Sequence, residues 1–280
     1  MTTPTWTTRR IATAVGNETV KGLRHGWGER LQILVEMPLF VAFVLLLGFT
    51  VGQGDAIAST GELDWSLDSH EATWLFVGMA VFTYTYLHVQ KMFWRLLAEI
   101  QSGTLEQTYL SPLPSWVHVV GGRIVAAIIE TAAVVGVLYA ATSLTVEIDL
   151  TWRPDALVPL LLLIVGAAGL ALVHAALTLV WKRIQMLNDL ILMLLFFFSG
   201  AALPLEEMPG WAETIGKPIF MTHATAGLRT VMLDGDSLSW GGTGGFAWLL
   251  GTAAAWFVVG VTVFRVCERI AQRRGSLSQF

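Results

Sequence analysis

The ionisable residues Glu130 and His174 fall inside long apolar stretches of the sequence. An ionisable side chain within a lipid-embedded helix is costly, so such residues pair with one another or contact whatever the protein moves. We expect Glu130 and His174 to pair across adjacent helices as a structural contact. Direct contact with a substrate is the alternative.

The sequence contains no complete motif for nucleotide, metal or nucleophilic chemistry. Residues 210–217 end in Gly-Lys and superficially suggest a phosphate-binding loop, but the glycine spacing is one residue too long. Pro218 also stands where Ser or Thr is required. No His-Glu-x-x-His motif is present, and the single cysteine, Cys267, can form neither an internal disulfide nor a metal cluster. We therefore expect a chain that is not itself an enzyme and holds no cofactor or metal.

The composition is that of a chain whose main solvent is lipid. Apolar residues make up 54% and charged residues only 14%, whereas a soluble domain carries about 25% charged residues. A helix needs about 20 apolar residues to cross a bilayer core, and six stretches meet that length. The sequence predicts an all-α membrane protein with spans at about 32–52, 72–90, 122–145, 156–180, 186–204 and 245–265.

The positive charges indicate the orientation of these spans. The chain has 17 Lys and Arg residues. With the N-terminus inside, the outer segments hold three of them, Arg153, Lys217 and Arg229, and Arg123 begins the third span. The other thirteen lie on the inner side. Because cytoplasmic segments are enriched in Lys and Arg, we expect a multi-pass protein of the cell membrane with both termini in the cytoplasm.

The N-terminal 30 residues differ from the spans. Val20, Leu23 and Trp27 recur at helical spacing, while Arg9 and Arg24 fall elsewhere around the helix. This pattern favours a cytoplasmic tail with an amphipathic helix lying at the membrane interface. A soluble tail is the alternative.

A short segment between the second and third spans carries its own helix signals. Gly103 breaks the preceding helix, Thr104 is a suitable N-cap, and Glu106 complements the dipole of the first turn. Two prolines, Pro112 and Pro114, end the helix. The segment also presents apolar side chains to the cytoplasm, and these would be costly without a protein partner; they are Leu105, Tyr109 and Leu110.

These motifs resemble the signatures of ABC-2-type transporter permeases. Residues 102–114, SGTLEQTYLSPLP, are similar to that family's inner motif. The outer segments FSG at 198–200, PLEEMPGW at 204–211 and GLR at 227–229 are similar to its last outer segment. Lys217-Pro218 departs from the Asn-Pro pair common there.

The resemblance implies half of an exporter with the type V ABC exporter fold. Residues 1–30 would form the tail and connecting helix, and residues 31–280 the transmembrane domain. Two separate ATPase subunits would bind ATP and magnesium and would grip a coupling helix at about 103–111. Its contact residues would be Gly103, Thr104, Leu105, Glu106, Tyr109 and Leu110. Residues 204–244 would form short re-entrant helices in the outer leaflet.

The resemblance further implies a second permease, either an identical copy or a paralogue, with the pathway between the two. Spans two and five would line it, and the candidate lining residues are Phe82, Tyr84, Tyr86, Phe196, Phe197 and Phe198. Ordinary packing or lipid-facing aromatics are the alternative. An aromatic pathway suits an amphipathic small molecule or a lipid.

Other classes fit the sequence less well. An ion-coupled secondary transporter or channel without an ATPase partner is the main alternative, but such proteins tend to show internal repeats, and none is evident. An intramembrane enzyme lacks its motif, and a simple membrane anchor would not need the coupling segment. No basic run indicates nucleic acid.

Overall fold

A computed structural model describes residues 8–28, 42, 46, 69–110, 117–181 and 184–274 of the chain. Within these ranges the chain is helical and contains no strand, as the predicted all-α class requires. A π-helical turn at Val117–Arg123 leads into α4, and 3-10 turns occur at Pro154–Ala156 and Leu205–Glu207. The helices are α1 (Thr8–Gly28), α2 (Ser69–Gln101), α3 (Thr104–Leu110), α4 (Ile124–Ser143), α5 (Leu157–Val180), α6 (Gln185–Phe198), α7 (Gly210–Gly216), α8 (Phe220–Met232) and α9 (Phe246–Arg274).

Among the described residues, four helical segments are long and apolar enough to cross a membrane. They are Ser69–Gln101, Gly121–Ser143, Pro154–Val180 and Phe246–Arg274, and they lie over four of the six predicted spans. The predicted first span, 32–52, falls outside the described residues except for Ala42 and Leu46. The count of six spans therefore stays a prediction.

The helix in the predicted fifth span is shorter than expected. α6 has 14 residues, which is about 21 Å at 1.5 Å per residue, against roughly 30 Å of hydrocarbon. The helix ends at Phe198 because Gly200, two residues later, adopts a φ of 74°, a left-handed conformation that stops helices. α6 alone is too short to cross a bilayer core.

The centre of the bundle is the contact between α5 and α9, where the two backbones touch. A Cβ atom on Gly260 of α9 would collide with the carbonyl oxygen of Gly169 on α5. One on Gly169 would collide with the backbone at Trp256 and Phe257. Small residues allow membrane helices to approach this closely, because lipid supplies little hydrophobic drive between them.

The outer segment folds back onto the bundle. α8 is buried along most of its length, and its Phe220 ring fills the space that a side chain at Gly166 of α5 would occupy. The backbone amide of Thr151 donates to the carbonyl of Met232 at 2.8 Å, which ties the end of α8 to the loop before α5. The segment 204–244 contains the short helices α7 and α8, while their re-entrant placement in the outer leaflet stays a prediction.

α1 packs through one face on the end of the bundle where α4 begins. Gly22 and Gly26 face α4, where a Cβ atom on Gly22 would lie 2.6 Å from that of Ala126. Arg9, Arg10 and Arg24 lie on the exposed face. α1 covers most of the stretch for which the sequence predicts an amphipathic helix, and Gly22 and Gly26 on one of its faces contact protein. Its placement at the membrane interface stays a prediction.

Candidate functional site

The short helix α3 begins where the sequence predicts it. α2 ends at Gln101, and Gly103 adopts a φ of 70°, a conformation that only glycine adopts without strain. The hydroxyls of Ser102 and Thr104 share a hydrogen bond of 2.8 Å across the break. The break at Gly103 thus turns the chain directly from the long span into α3. Residues 111–116, which include Pro112, lie outside the described part of the chain.

α3 has one buried face and one exposed face. Leu105 is 0% exposed and Tyr109 is half-buried, whereas Leu110 is 84% exposed. Glu106 and Thr104 are exposed as well. The prediction that Leu105 points to the cytoplasm is therefore wrong. Leu105 and Tyr109 lie four residues apart and share a helix face, and that face rests on the spanning bundle.

An ion-pair network lies at the base of α3. The guanidinium of Arg123, in the π-helical turn before α4, donates to the carboxylate of Glu99 at the end of α2. Lys21 of α1 lies 3.4 Å from the same carboxylate. The network joins α1, α2 and α4 just before the chain enters α3, so it fixes the position from which α3 starts.

Tyr109 packs its ring against the main buried cluster of the bundle. Burial and the adjacent carboxylate of Glu268 raise the pKa of Tyr109 above its usual value. The phenol therefore stays protonated at physiological pH and faces an acceptor.

Glu130 belongs to a second charged cluster, towards the C-terminal end of α2. Its Oε2 lies 2.8 Å from Nζ of Lys91, and its Oε1 accepts from Arg95. Arg95 also donates to the carbonyl oxygen of Gly22 in α1 at 3.1 Å. The predicted pair between Glu130 and His174 is not formed, because Glu130 faces the cations of α2.

His174 lies elsewhere in the core. It is buried, and its Nδ1 lies 3.0 Å from the carbonyl oxygen of Leu170, one turn earlier in α5. The next turn is bonded in a similar way, since Thr178 donates to the carbonyl of His174. The side chain of His174 therefore contacts the backbone of its own helix.

Four of the six candidate pathway aromatics form a continuous set between α2 and α6. The ring of Phe82 lies 4.7 Å from that of Phe196 and 5.8 Å from that of Tyr86. Phe197 follows at 5.4 Å from Phe196, and its side chain is exposed.

The other two candidate aromatics lie apart from this set. Tyr84 is buried and stacks on His88 at 5.8 Å, within the core of the chain. Phe198 packs edge-on against Trp211 of α7 at 5.8 Å.

Sequence reasoning missed the contacts of Arg229, which it counted as an outer cation and as part of the motif at 227–229. The guanidinium donates to the carbonyl oxygens of Trp74, Gly200 and Ala201 at 2.8 to 3.1 Å and stacks on the Trp74 ring at 3.3 Å. A Cβ atom on Gly78 would collide with this contact. The motif Gly227-Leu228-Arg229 was the sequence signal that could have indicated this role. Its arginine joins α8 to α2 and to the end of α6.

The described residues hold no group of three or more His, Cys, Asp or Glu side chains that could bind a metal. What the structure offers instead is a set of long apolar helices, the short helix α3 anchored at one end of them, and the helices α7 and α8 folded onto the bundle. That arrangement defines a helical membrane protein. The model of the ABC-2 type transporter family matches residues 23–233. The chain therefore belongs to that family, as its motifs indicated. No curated protein matches the chain.

Proposed function

We propose that this chain is the permease subunit of an ATP-binding-cassette exporter. It moves an amphipathic small molecule or lipid outward, using ATP that two separate ATPase subunits hydrolyse with magnesium. Membership of the ABC-2 family supports the permease assignment. The ATPase partner, the substrate and the direction of transport are proposals.

The two-faced helix α3 carries the proposal. Leu105 holds the helix onto the bundle, while Leu110 projects an apolar side chain that is 84% exposed. An apolar side chain on a firmly held helix gains free energy only when a partner covers it. Glu106 and Thr104, exposed beside it, suit a polar rim around such a contact. An ATPase subunit seated on this face would move α3, and α3 would move the bundle.

The second permease is proposed on the exposed face of α6. Leu190, Met193 and Phe197 recur at helical spacing, and all three are exposed in the single chain. A helix of this apolar character that is too short to span alone is stabilised by packing against a second subunit. The pathway would then run beside Phe82, Tyr86 and Phe196, which suits a substrate with an apolar part.

The exposed Leu110 allows a direct test. Leu110→Ala should weaken assembly with the candidate ATPase about tenfold, because burying a leucine side chain contributes about 1.5–3 kcal/mol. Assembly is measured by titrating purified ATPase onto the chain in lipid nanodiscs, and ATP hydrolysis by the complex should fall in parallel.

Leu144→Ala is the matched control. Leu144 is 88% exposed, and it lies just beyond the C-terminal end of α4, away from α3. Its titration should equal that of the unaltered chain. Equal assembly and hydrolysis for both variants would contradict the role of α3, and transport driven by an ion gradient with no ATPase present would contradict the whole proposal.

A further inference from the structure

A polar cluster joins α2 to α6. The side-chain amide of Gln90 on α2 donates from Nε2 to Oδ1 of Asp189 on α6 at 3.1 Å. Asn188, the residue before Asp189, donates from Nδ2 to the same oxygen at 3.3 Å. In the part of the chain that the structure describes, the Asp189 carboxylate forms no ion pair with a basic side chain. The carboxylate is therefore held by two neutral amides alone.

Two oxygen atoms of this cluster have no hydrogen-bond partner. They are Oε1 of Gln90 and Oδ1 of Asn188, and both are shielded from solvent. Asn188 is 0% exposed, so the missing bond at its oxygen costs free energy, which a ligand that donates a hydrogen bond would recover. Neither amide can be turned round, because its oxygen would then face the Asp189 carboxylate. The cluster thus offers three acceptor groups at one place and lacks a donor for them.

The polar cluster lies in line with the aromatic set. Phe82, Tyr86 and Gln90 follow one another at intervals of four residues along α2, so they share a face of the helix, and all three are half-buried. Phe82 contacts Phe196, whereas Gln90, two turns later in α2, contacts Asp189, two turns earlier in α6. The surface between the two helices therefore has an acidic end and an aromatic end, about 12 Å apart at 1.5 Å per residue.

The chemistry of the acidic end matches an ammonium group. A primary ammonium has three N–H donors and no acceptor, and its charge complements that of the Asp189 carboxylate. A hard metal ion such as Ca²⁺ takes about six to eight oxygen ligands, which is more than one carboxylate and two amides supply. The aromatic end, in contrast, gains free energy only from an apolar group. A molecule that fills both ends has a cationic head and an apolar body.

We propose that this surface binds a cationic amphiphile, with its ammonium group at Asp189 and its apolar part along Phe82 and Phe196. The inference rests on the proposed function and deepens it, since it assigns a positive charge to the transported molecule. Asp189 is exposed, so the ammonium group reaches the site without crossing the buried core. Gln90 and Asn188 position the carboxylate and accept the remaining N–H groups.

Photolabelling tests this binding directly. The full chain, purified with its partner subunits, is placed in phosphatidylcholine nanodiscs and irradiated with dodecylamine that carries a diazirine in its alkyl chain. Dodecanol with the same diazirine is the neutral probe. Mass spectrometry should find the amine on peptides of α2 and α6 at about a tenfold lower concentration than the alcohol requires, a ratio on the scale of one hydrogen bond to a charged group.

Asp189→Asn keeps the shape of the side chain but removes its charge. The variant should raise the half-saturating concentration of the amine about tenfold and leave that of the alcohol unchanged. Asp236→Asn is the matched control, because Asp236 is exposed in the loop between α8 and α9. Both probes should label this control as they label the unaltered chain.

Asp189→Lys reverses the charge of the site. This variant should prefer dodecanoate with the same diazirine over dodecylamine, because a cation at this position attracts a carboxylate. A side chain that only tied α2 to α6 would not change the choice between probes. Absence of this reversal in a variant that elutes as a monodisperse protein would contradict the ammonium site.

The composition of the nanodisc identifies the source of the ammonium group. Phosphatidylethanolamine carries a primary ammonium in its headgroup, whereas the choline group has no N–H donor. If a lipid headgroup is the natural ligand, replacing half of the phosphatidylcholine by phosphatidylethanolamine should lower labelling by the amine. Unchanged labelling would assign the site to small-molecule amines.

The comparison of the two probes separates binding from mere structure, since a loosened helix pair would change labelling by amine and alcohol alike. Equal labelling by both probes in the unaltered chain, or a parallel loss of both in Asp189→Asn, would overturn the ammonium site. Either result leaves the proposed function standing, because an exporter of uncharged molecules would give it. Failure of the chain to bind any ATPase would instead overturn the proposed function, whatever the labelling shows.

Discussion

At the scale of single residues, one carboxylate holds three helices together at the end of the bundle where α1 packs. Glu130 on α4 faces Lys91 and Arg95 on α2, and Arg95 reaches the carbonyl of Gly22 on α1. The two cations and the single carboxylate are each about 9% exposed. The attraction between them is therefore little screened by water, and its loss would leave two positive charges facing each other.

Glu130→Gln is expected to lower the free energy of unfolding by about 3 kcal/mol, because removing one partner from a buried ion pair leaves the other uncompensated. Heating the detergent-solubilised chain and following the monodisperse fraction by size-exclusion chromatography measures the loss. Glu147→Gln serves as control, since Glu147 is exposed. Equal thermal stability of the two variants would show that the cluster contributes little.

The sequence pointed to Glu130 but not to its partners. An acidic residue in an apolar stretch is visible in any sequence, and it drew attention to Glu130. Its pairing with His174 is wrong because which helices are neighbours depends on packing. Lys91 and Arg95 belong to the thirteen Lys and Arg residues from which the orientation is predicted. Nothing in their spacing indicates that they face α4.

At the scale of helices, glycine sets how closely α9 approaches α5. A side chain at Gly260 would collide with the backbone of Gly169, whereas a side chain at Gly251, on the same helix, would meet nothing within 4 Å. The same substitution at the two positions therefore has opposite effects. Alanine favours a helix over glycine by about 1 kcal/mol, and only at Gly260 must the two helices separate to accommodate it.

Gly260→Ala should destabilise the chain by about 1–3 kcal/mol, the usual cost of overpacking a close contact, while Gly251→Ala should leave stability equal or raise it. Unfolding of both variants in mixed micelles with increasing denaturing detergent gives the comparison. A Gly260→Ala chain at least as stable as Gly251→Ala would mean that α5 and α9 do not touch as closely as the structure has them.

The boundaries of helices were more predictable than their faces. The break at Gly103 followed from glycine alone, because a left-handed residue between two helical patterns admits few alternatives. Gly200 is likewise a signal for the end of a helix. The predicted fifth span, 186–204, extends beyond this glycine, whereas α6 ends at Phe198. The burial of Leu105 could not be predicted, since it depends on how α3 rests against the bundle.

At the scale of the whole molecule, the exposed apolar surface of α6 has to be covered in the assembled protein. The stripe of Leu190, Met193 and Phe197 adjoins the aromatic set at Phe82 and Phe196, so a partner on this stripe would border the proposed pathway. Val258 on α9 is apolar and 62% exposed as well. Lipid can cover such a helix, which has the length to span.

A photo-crosslinking amino acid at Met193 should therefore capture a second permease in native membranes, and the same probe at Val258 should not. Peptide mass spectrometry of the adduct distinguishes an identical copy from a paralogue. Only an adduct between two identical copies yields peptides of this chain alone. Capture at Val258 with none at Met193 would place the interface on α9 and remove Phe82 and Phe196 from the pathway. Capture at Met193 would instead put the aromatic set at the boundary between two subunits, where a substrate with an apolar part can pass without crossing the core of either one.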